Sequence, residues 1–551
     1  MPPLLVVPGT KITAADLTLL NVMFTTGAQN VTGVKTFQAA ATPVLLADPA
    51  VANQAARRGY IDARNYIVVF PTDDLRALLQ GATAGDRFWL QPGNHLIAAS
   101  INVTAADVVI HGTEGAVIAG QAGVGAGNPV IDINADNVRI EGVEVSVTTG
   151  DGIRVNAGRI AVLRDVHVTG GANGVIVSGA GHVIIDDCFL DTNTIQLYSN
   201  AAPVCCVEVT GTRFNGGRID LPDNTNITID SCFMNGCYIV AATAGTGFRV
   251  VDSVLYNILN GIGISVAGSN YVVAGNTVLM NVAAAFAAIL MAGTGTVYGN
   301  TISTYDIGIH LNGTGLTAAC NTVTLNGDAV GIRCQTGRCV VVYNTLKVAN
   351  GNATNQSVIQ VNGTAPGAMI VHNYIDASLQ TPAGAKTGIE VQQNANNSQV
   401  VGNQVTNTSN NNSFQRSIYV RALYCRVTDN VVENMGRNNA YCIYMDNEYM
   451  TVINNNLRMM DGYGIYCEYG RCQIQGNFMY AALNAADGGF IVNGAETEIQ
   501  LAGNYIDTGG VPAITFNAAS TRCMMTDNQY RGTATVPAGA GCIVADNLNM
   551  P

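Results

Sequence analysis

Apolar and polar residues alternate with a period of two in four short segments between positions 388 and 468: GIEVQ (388–392), SIYVR (417–421), CIYMD (442–446) and GIYCE (464–468). That period is the signature of a strand with one buried face. Ile389, Ile418, Ile443 and Ile465 share one phase, with Val391, Val420, Met445 and Cys467 two residues further on. The phase predicts an inner apolar face. The opposite face then carries Glu390, Tyr419, Tyr444 and Tyr466 in one column and Gln392, Arg421, Asp446 and Glu468 in a second.

The alternation recurs along most of the chain. Segments such as RIEGVEV, VLRDVHV, VAGNTVL, VYGNTI, VGNQV, VTDNVV and LAGNYI align as eighteen copies between positions 142 and 547, about 24 residues apart. A repeat of this length built from strands predicts a stacked solenoid. Leucine-rich repeats share the period but need a leucine framework that is absent. The expected fold is all-β: a single-stranded right-handed parallel β-helix of about 24 residues per turn, with a short N-terminal capping helix. The aligned turn position falls at 142, 165, 187, 212, 231, 253 and 276 and is Asn at every copy from 276 onward. Asn tolerates the left-handed conformation, so it is assigned the turn itself and a ladder of stacked amides. The segment TDDLRALLQG (72–81) predicts the cap, with Thr72 as N-cap, Asp73 and Asp74 at the positive end of the helix dipole, and Leu75, Leu78 and Leu79 on one face. The copies at 344, 373 and 403 are followed by unusually long steps. Their extra residues, 346–357, 376–388 and 406–417, all precede Gly-Ile-type strands and predict a wall beside the polar columns.

Charge narrows the partners. The formal net charge is −12 and the chain has four lysines, Lys11, Lys35, Lys347 and Lys386, so the dense basic surface of a nucleic-acid binder is missing. No apolar run is long enough to span a bilayer, and the start, MPPLLVVPGT, lacks the charged and apolar regions of a secretory signal, which predicts synthesis in a cytoplasm and no membrane insertion. The fourteen cysteines contain no paired C-x-x-C. Cys334/Cys339 and Cys467/Cys472 recur in matching registers with Cys334 and Cys467 inward, which predicts buried structural thiols. Cys205 and Cys206 have no such reading. No metal site and no cofactor is expected.

The polar columns carry the candidate chemistry. Turns of a parallel β-helix stack about 4.8 Å apart, so Asp446 and Glu468 are expected roughly 5 Å apart at the backbone and Glu390 about 10 Å from Asp446. Paired carboxylates at such separations serve glycoside hydrolysis, retaining or inverting according to distance. Asp446, Glu468 and Glu390 are therefore the candidate catalytic residues. Two close carboxylates push one pKa upward, as a general acid requires. Arg421 can hold one of them ionised or receive a sugar carboxylate. Tyr419, Tyr444 and Tyr466 offer flat apolar faces with polar tips, and Gln392, His310 and Arg333 complete the candidate substrate-binding set. The same residues also suit a solvated charged face with an aromatic ladder that only stabilises the sheet. A lyase, with a Tyr base and Arg421 neutralising a uronate, is the minor enzymatic alternative.

Val31-Thr32-Gly33, Lys35-Thr36-Phe37, Ala52-Asn53 and Tyr60-Ile61-Asp62-Ala63, within 29–65, resemble the repeat modules of bacteriophage tail fibres and tailspikes. The helix at 72–81 followed by AGDRFWLQPGNHLI (84–97) resembles the entry to a pectate-lyase-like β-helix. The resemblance implies a virion-attachment segment over 1–70, a capping helix and first turns over 71–140, and a receptor-binding or catalytic β-helix over 141–551. It implies a homotrimer in the virion tail that contacts other tail or baseplate proteins through the N-terminal segment. Such a protein binds bacterial capsule or O-antigen and in many cases cleaves it; a non-catalytic adhesin or structural fibre is the alternative. The repeat runs to Asp546-Asn547 and the chain ends at Pro551, so the C-terminal trimerisation domain common in such proteins is expected to be missing.

Overall fold

The computed structural model describes residues 66–551 except for short corner segments, so the attachment-type motifs at 29–65 and the inserted stretches 351–356, 378–385 and 408–413 lie outside the described residues. The described strands, from Ile67–Val69 to Leu548–Asn549, form one continuous solenoid in which every pairing is parallel. The fold is the expected parallel β-helix.

Each full turn contributes three strands. In one turn they are Arg426–Thr428, Val431–Asn434 and Tyr441–Met445; in the next, Thr451–Ile453, Asn456–Met459 and Tyr463–Cys467 pair with them residue for residue. We call the three resulting faces A, B and C. Face A ends at the asparagine corner, face B follows it, and face C carries the Gly-Ile strands. Inward residues such as Val427, Val452, Leu457, Ile443, Ile465 and Ile474 are fully buried in one core running the length of the solenoid. Burying each such side chain contributes about 1.5–3 kcal/mol, which offsets the ordering of a chain with little helix.

The predicted cap is present as helix α1, Leu75–Gln80. Its N-cap is Asp74 rather than Thr72: the Asp74 carboxylate accepts from the Ala77 N–H at 2.9 Å. Asp73 is used one step earlier, accepting from the Phe70 N–H at 2.8 Å and closing the turn that leads in. Leu75 and Leu79 are buried with Val69, Leu90 and Ile101, covering the first turn of the core. The first strand, Ile67–Val69, already pairs with Arg87–Leu90. At the far end, Ile543 and Leu548 of the last turn are each 57% exposed.

The asparagine ladder exists, but Asn is not the left-handed residue. That conformation belongs to the residue before it, among them Tyr343 (φ 55°), His372 (φ 52°), Asp429 (φ 58°), Asn454 (φ 55°) and Asp527 (φ 55°), with glycine at corners such as Gly275, Gly299, Gly402, Gly476 and Gly503. The ladder asparagines Asn373, Asn403 and Asn430 are buried, and their side chains run along the stack. Asn403 Nδ2 donates to the Ile370 carbonyl, the Val401 carbonyl and Asn430 Oδ1, while its Oδ1 accepts from both the backbone N–H and Nδ2 of Asn373. This satisfies the amide's full capacity. The shift also corrects the alignment. Positions 142, 165, 187 and 231 are left-handed residues, and the ladder equivalents are Val143, Val166, Cys188 and Cys232, whose carbonyls accept from the next turn as the ladder asparagines' carbonyls do. Thr212 and Ser253 supply hydroxyls where the amide is absent.

Cys334, Cys339, Cys467 and Cys472 are buried, Cys334 and Cys467 as their inward phase predicts. Burial also pushes the Cys188 and Cys232 thiols up to about 12. Among the described residues, no helix is long and apolar enough to cross a membrane.

Candidate functional site

Face C places the first predicted column in register. Leu290, His310, Arg333, Gln360, Glu390, Tyr419, Tyr444, Tyr466 and Ile491 are consecutive cross-turn neighbours. Behind them Ile389, Ile418, Ile443 and Ile465 are inward and fully buried. The second column is equally regular. Gln392, Arg421, Asp446 and Glu468 each donate their backbone N–H to the strand of the preceding turn, at Val361, Val391, Val420 and Met445.

The side chains link the columns diagonally. The Tyr419 hydroxyl donates to Asp446 Oδ2 at 2.8 Å, and the Tyr444 hydroxyl donates to Glu468 Oε2 at 2.9 Å. Arg421 Nε lies 3.6 Å from Asp446 Oδ2, and Asn493 donates to Glu468 Oε1 at 3.4 Å. The two carboxylates thus occupy equivalent positions on adjacent turns with different charge environments, since Arg421 accompanies Asp446 and no ion pair is formed by Glu468 among the described residues. Glu390, which stands in the first column, is likewise bonded to the preceding turn. Its Oε2 accepts from Ser357 at 2.5 Å and from Gln360 at 3.4 Å, both on the preceding turn. The structure therefore places Asp446 and Glu468 on adjacent turns of one column and Glu390 in the other column, two turns before Asp446.

Burial, and then the Asp446 carboxylate, push the Tyr419 hydroxyl up to about 12. The Tyr444 and Tyr466 hydroxyls are raised as well, by burial first and then by Glu468. Next to an anion, each phenol is held protonated and serves as a donor.

Three residues absent from the predicted set complete the cluster. Arg416 lies over the Tyr419 ring at 4.3 Å and the Tyr444 ring at 4.9 Å, a cation–π contact with two turns. Tyr441 and Tyr463 stack at 4.9 Å with 16° between planes, beside the Tyr444–Tyr466 stack at 4.9 Å and 14°. Strict alternation would turn Arg416, Tyr441 and Tyr463 inward. Instead, Ser417, Cys442 and Gly464 are buried beside Ile418, Ile443 and Ile465, so two consecutive residues point in and the residue before them emerges outward. The signal was the small residue before each Ile. At Gly388 no more than a hydrogen fits: a Cβ would sit 2.5 Å from the Ser417 carbonyl oxygen.

His310 and Arg333 lie further along the first column. Arg333 Nε donates to Gln360 Oε1 at 2.8 Å. The His310 ring is 5% exposed and packs 5.4 Å from the Phe286 ring. Gln392 makes no side-chain hydrogen bond among the described residues. No group of three His, Cys, Asp or Glu able to hold a metal occurs among the described residues.

No protein-family model matches the chain, and no curated protein does. Solved structures align over most of its length at low identity. An alginate lyase of the PL6 family, AlyGC, is 10% identical, covering 88% of this chain and all of that one, with a TM-score of 0.32. The Dettilon tailspike protein is 13% identical over 77% of this chain and 68% of its own, with a TM-score of 0.24. A double mutant of the tailspike protein of E. coli bacteriophage HK620 is 12% identical over 82% of this chain and 72% of its own, with a TM-score of 0.27. At such scores these similarities have no bearing on the reaction, which rests on the face C cluster.

Proposed function

We propose that face C is the glycan-binding groove of a tailspike-type protein and that it hydrolyses a bacterial surface polysaccharide, capsule or O-antigen. The observation that carries this reading is the repeated diagonal pair, Tyr419 to Asp446 and Tyr444 to Glu468, which holds two carboxylates on neighbouring turns among stacked aromatic rings. Aromatic faces suit the apolar faces of sugar rings, and oriented carboxylates suit the glycosidic bond.

In the proposed reaction Asp446 is the anionic partner, supported by Arg421, and Glu468 is the proton donor. Neighbouring turns stand about 4.8 Å apart, close to the roughly 5–5.5 Å carboxyl separation of retaining enzymes. Glu468 protonates the leaving oxygen as the glycosidic C–O bond breaks, and an Asp446 oxygen bonds to the anomeric carbon. Water then attacks that carbon, giving its proton to Glu468 and releasing Asp446. Glu390 serves the sugar-binding surface rather than the reacting bond, because it stands in the other column two turns from Asp446. The lyase reading loses support from the raised phenols, since a tyrosinate base is disfavoured beside a carboxylate.

A non-catalytic adhesin is the second reading, favoured by one observation: each carboxylate is already hydrogen-bonded within the protein, as a purely structural ladder requires. Virion location, attachment through 1–70 and a homotrimer belong to the same proposal and rest on the motifs at 29–65. Incubation of the protein with polysaccharide from its bacterial host, followed by size-exclusion analysis, decides between the readings. Shortened chains support hydrolysis, a new unsaturated product supports a lyase, and binding without shortening leaves the adhesin.

A further inference from the structure

The two parts of the first column differ in how their polar groups are satisfied. Asp446 and Glu468 accept hydrogen bonds inside the protein, whereas the part at His310 and Arg333 leaves capacity unspent. His310 is 5% exposed on the outer face of its strand, between the inward residues Ile309 and Leu311. Neither ring nitrogen has a hydrogen-bond partner among the described residues. Gln335, one turn on, lies near enough to favour the protonated ring slightly but outside hydrogen-bond geometry, and its Oε1 is taken by Asn362. A buried imidazole with both nitrogens unsatisfied costs about 1–3 kcal/mol for each group left unmade.

Arg333 is the next residue in the column. Its Nε is fixed on Gln360 Oε1 at 2.8 Å, and Gln360 is fixed in turn on Glu390, so the guanidinium plane is oriented while its two terminal nitrogens are free for a bidentate contact. Arg421, Arg458 and Arg471 each pair with a carboxylate. Arg333 forms no ion pair among the described residues, although Asp306, at the start of the His310 strand, lies within its electrostatic field. The Asp306 carboxylate accepts no hydrogen bond among the described residues.

We infer that Arg333 and Asp306, beside the buried His310 ring, form a subsite for an acidic sugar: the free edge of Arg333 receives the sugar carboxylate and Asp306 receives a ring hydroxyl. This rests on the glycan-binding reading above and specifies the substrate class as a polymer containing uronic or other carboxylated residues. Burial holds His310 neutral, with its pKa lowered to about 4, so it places no second positive charge behind Arg333 and its ring reports on what Arg333 binds. Burial shifts Asp306 upward, and the Arg333 charge opposes that shift. The planar guanidinium matches a carboxylate, and partial burial strengthens the pair relative to one in water.

The test uses the full chain labelled with ¹³C-histidine, the His310 ring resonance being assigned by its loss in His310→Gln. Sodium D-glucuronate and D-galacturonate are titrated at constant ionic strength against D-glucose, D-galactose and inorganic phosphate. The expected result is a saturable shift with a uronate, no comparable shift with the neutral sugars or phosphate, and at least about tenfold weaker uronate binding in Arg333→Gln, in line with loss of a bidentate pair. Arg333→Lys, which keeps the charge and loses the fork, also weakens binding and stands in if Arg333→Gln does not fold. Arg471→Gln, on a neighbouring corner, leaves the titration unchanged. An unmoved resonance, equal shifts with phosphate or neutral sugars, or unaltered affinity in both Arg333 variants overturns the inference. Host polysaccharide that is bound or cut by a protein indifferent to uronates removes only this subsite; failure to bind any polysaccharide removes the function proposed above as well.

Discussion

The Tyr419 hydroxyl on one turn donates to Asp446 Oδ2 on the next at 2.8 Å. The link is repeated one turn later by Tyr444 and Glu468. A diagonal bond of this kind ties the first column to the second and orients each carboxylate. It also places a phenol, rather than water, against each anion.

If the pair is the reaction centre, Asp446→Asn and Glu468→Gln each lower depolymerisation by about 10²–10⁴-fold, the usual worth of a positioned acid or base. Glu390→Gln changes it by less than about tenfold, because Glu390 stands in the other column two turns from Asp446. Release of reducing ends from host polysaccharide measures all three. Full activity in both the Asp446 and Glu468 variants would remove them from the reaction.

Tyr419→Phe keeps the ring and deletes the donor. Bonds to charged groups contribute roughly 1.5–3 kcal/mol, and Asp446 is a quarter exposed and regains some hydration, so a loss of about 1–2 kcal/mol in urea unfolding is expected. Alkaline behaviour follows from the same contact. The folded pKa of Tyr419 is raised from 10.0 to about 12, so its contribution is complete below pH 10 and is lost as pH rises toward 12. Wild type therefore loses stability over that window more steeply than Tyr419→Phe. Parallel slopes would show that the hydroxyl is not held as described.

Acid acts on His310. Its folded pKa is lowered from 6.5 to about 4, so the unfolded chain takes up the proton first and stability falls as pH drops from 6.5 toward 4, by at most about 3 kcal/mol. Asp306, raised in the fold, works the other way only near its own titration, and Arg333 stays charged throughout and disfavours the imidazolium. His310→Gln removes this component, and urea midpoints at pH 7 and pH 4.5 for the two proteins measure it.

Asn430 donates to the Val400 carbonyl, the Thr428 carbonyl and Asn455 Oδ1, and accepts from Asn403. Asn430→Ala strands several of these buried groups at once and costs about 3–5 kcal/mol. Asn547, at the last and more exposed turn, costs less when replaced because water reaches its partners. Equal losses at the two positions would argue against the ladder as a cooperative stack.

The solenoid was legible because its core residues repeat with two periods at once, two residues along a strand and about 24 along the chain. The column of Glu390, Tyr419, Tyr444 and Tyr466 followed from phase alone. Phase failed where geometry departed from it. Arg416, Tyr441 and Tyr463 were hidden by the paired inward residues before each Ile, and the left-handed corner was assigned to Asn when it belongs to the residue before. Asp306 carries no repeat signal. It gains meaning only from its proximity to Arg333, which strand order cannot reveal. Which carboxylate oxygen meets which hydroxyl is a matter of side-chain rotamers, so phase alone could not show that Ser357 bonds Glu390 and Tyr419 bonds Asp446.

The asparagine corner has a consequence for how such a surface changes. Successive ladder residues are separated by as few as 19 positions, Asn528 to Asn547, and by as many as 30, Asn373 to Asn403, yet the bonds between them are the same. Register is thus reset once per turn at one edge, whatever length of chain intervenes. Additions elsewhere on the circumference alter local relief without accumulating displacement along the axis. The solenoid behaves as an indexed frame, on which the recognition surface can be rewritten one turn at a time while its neighbours keep their places.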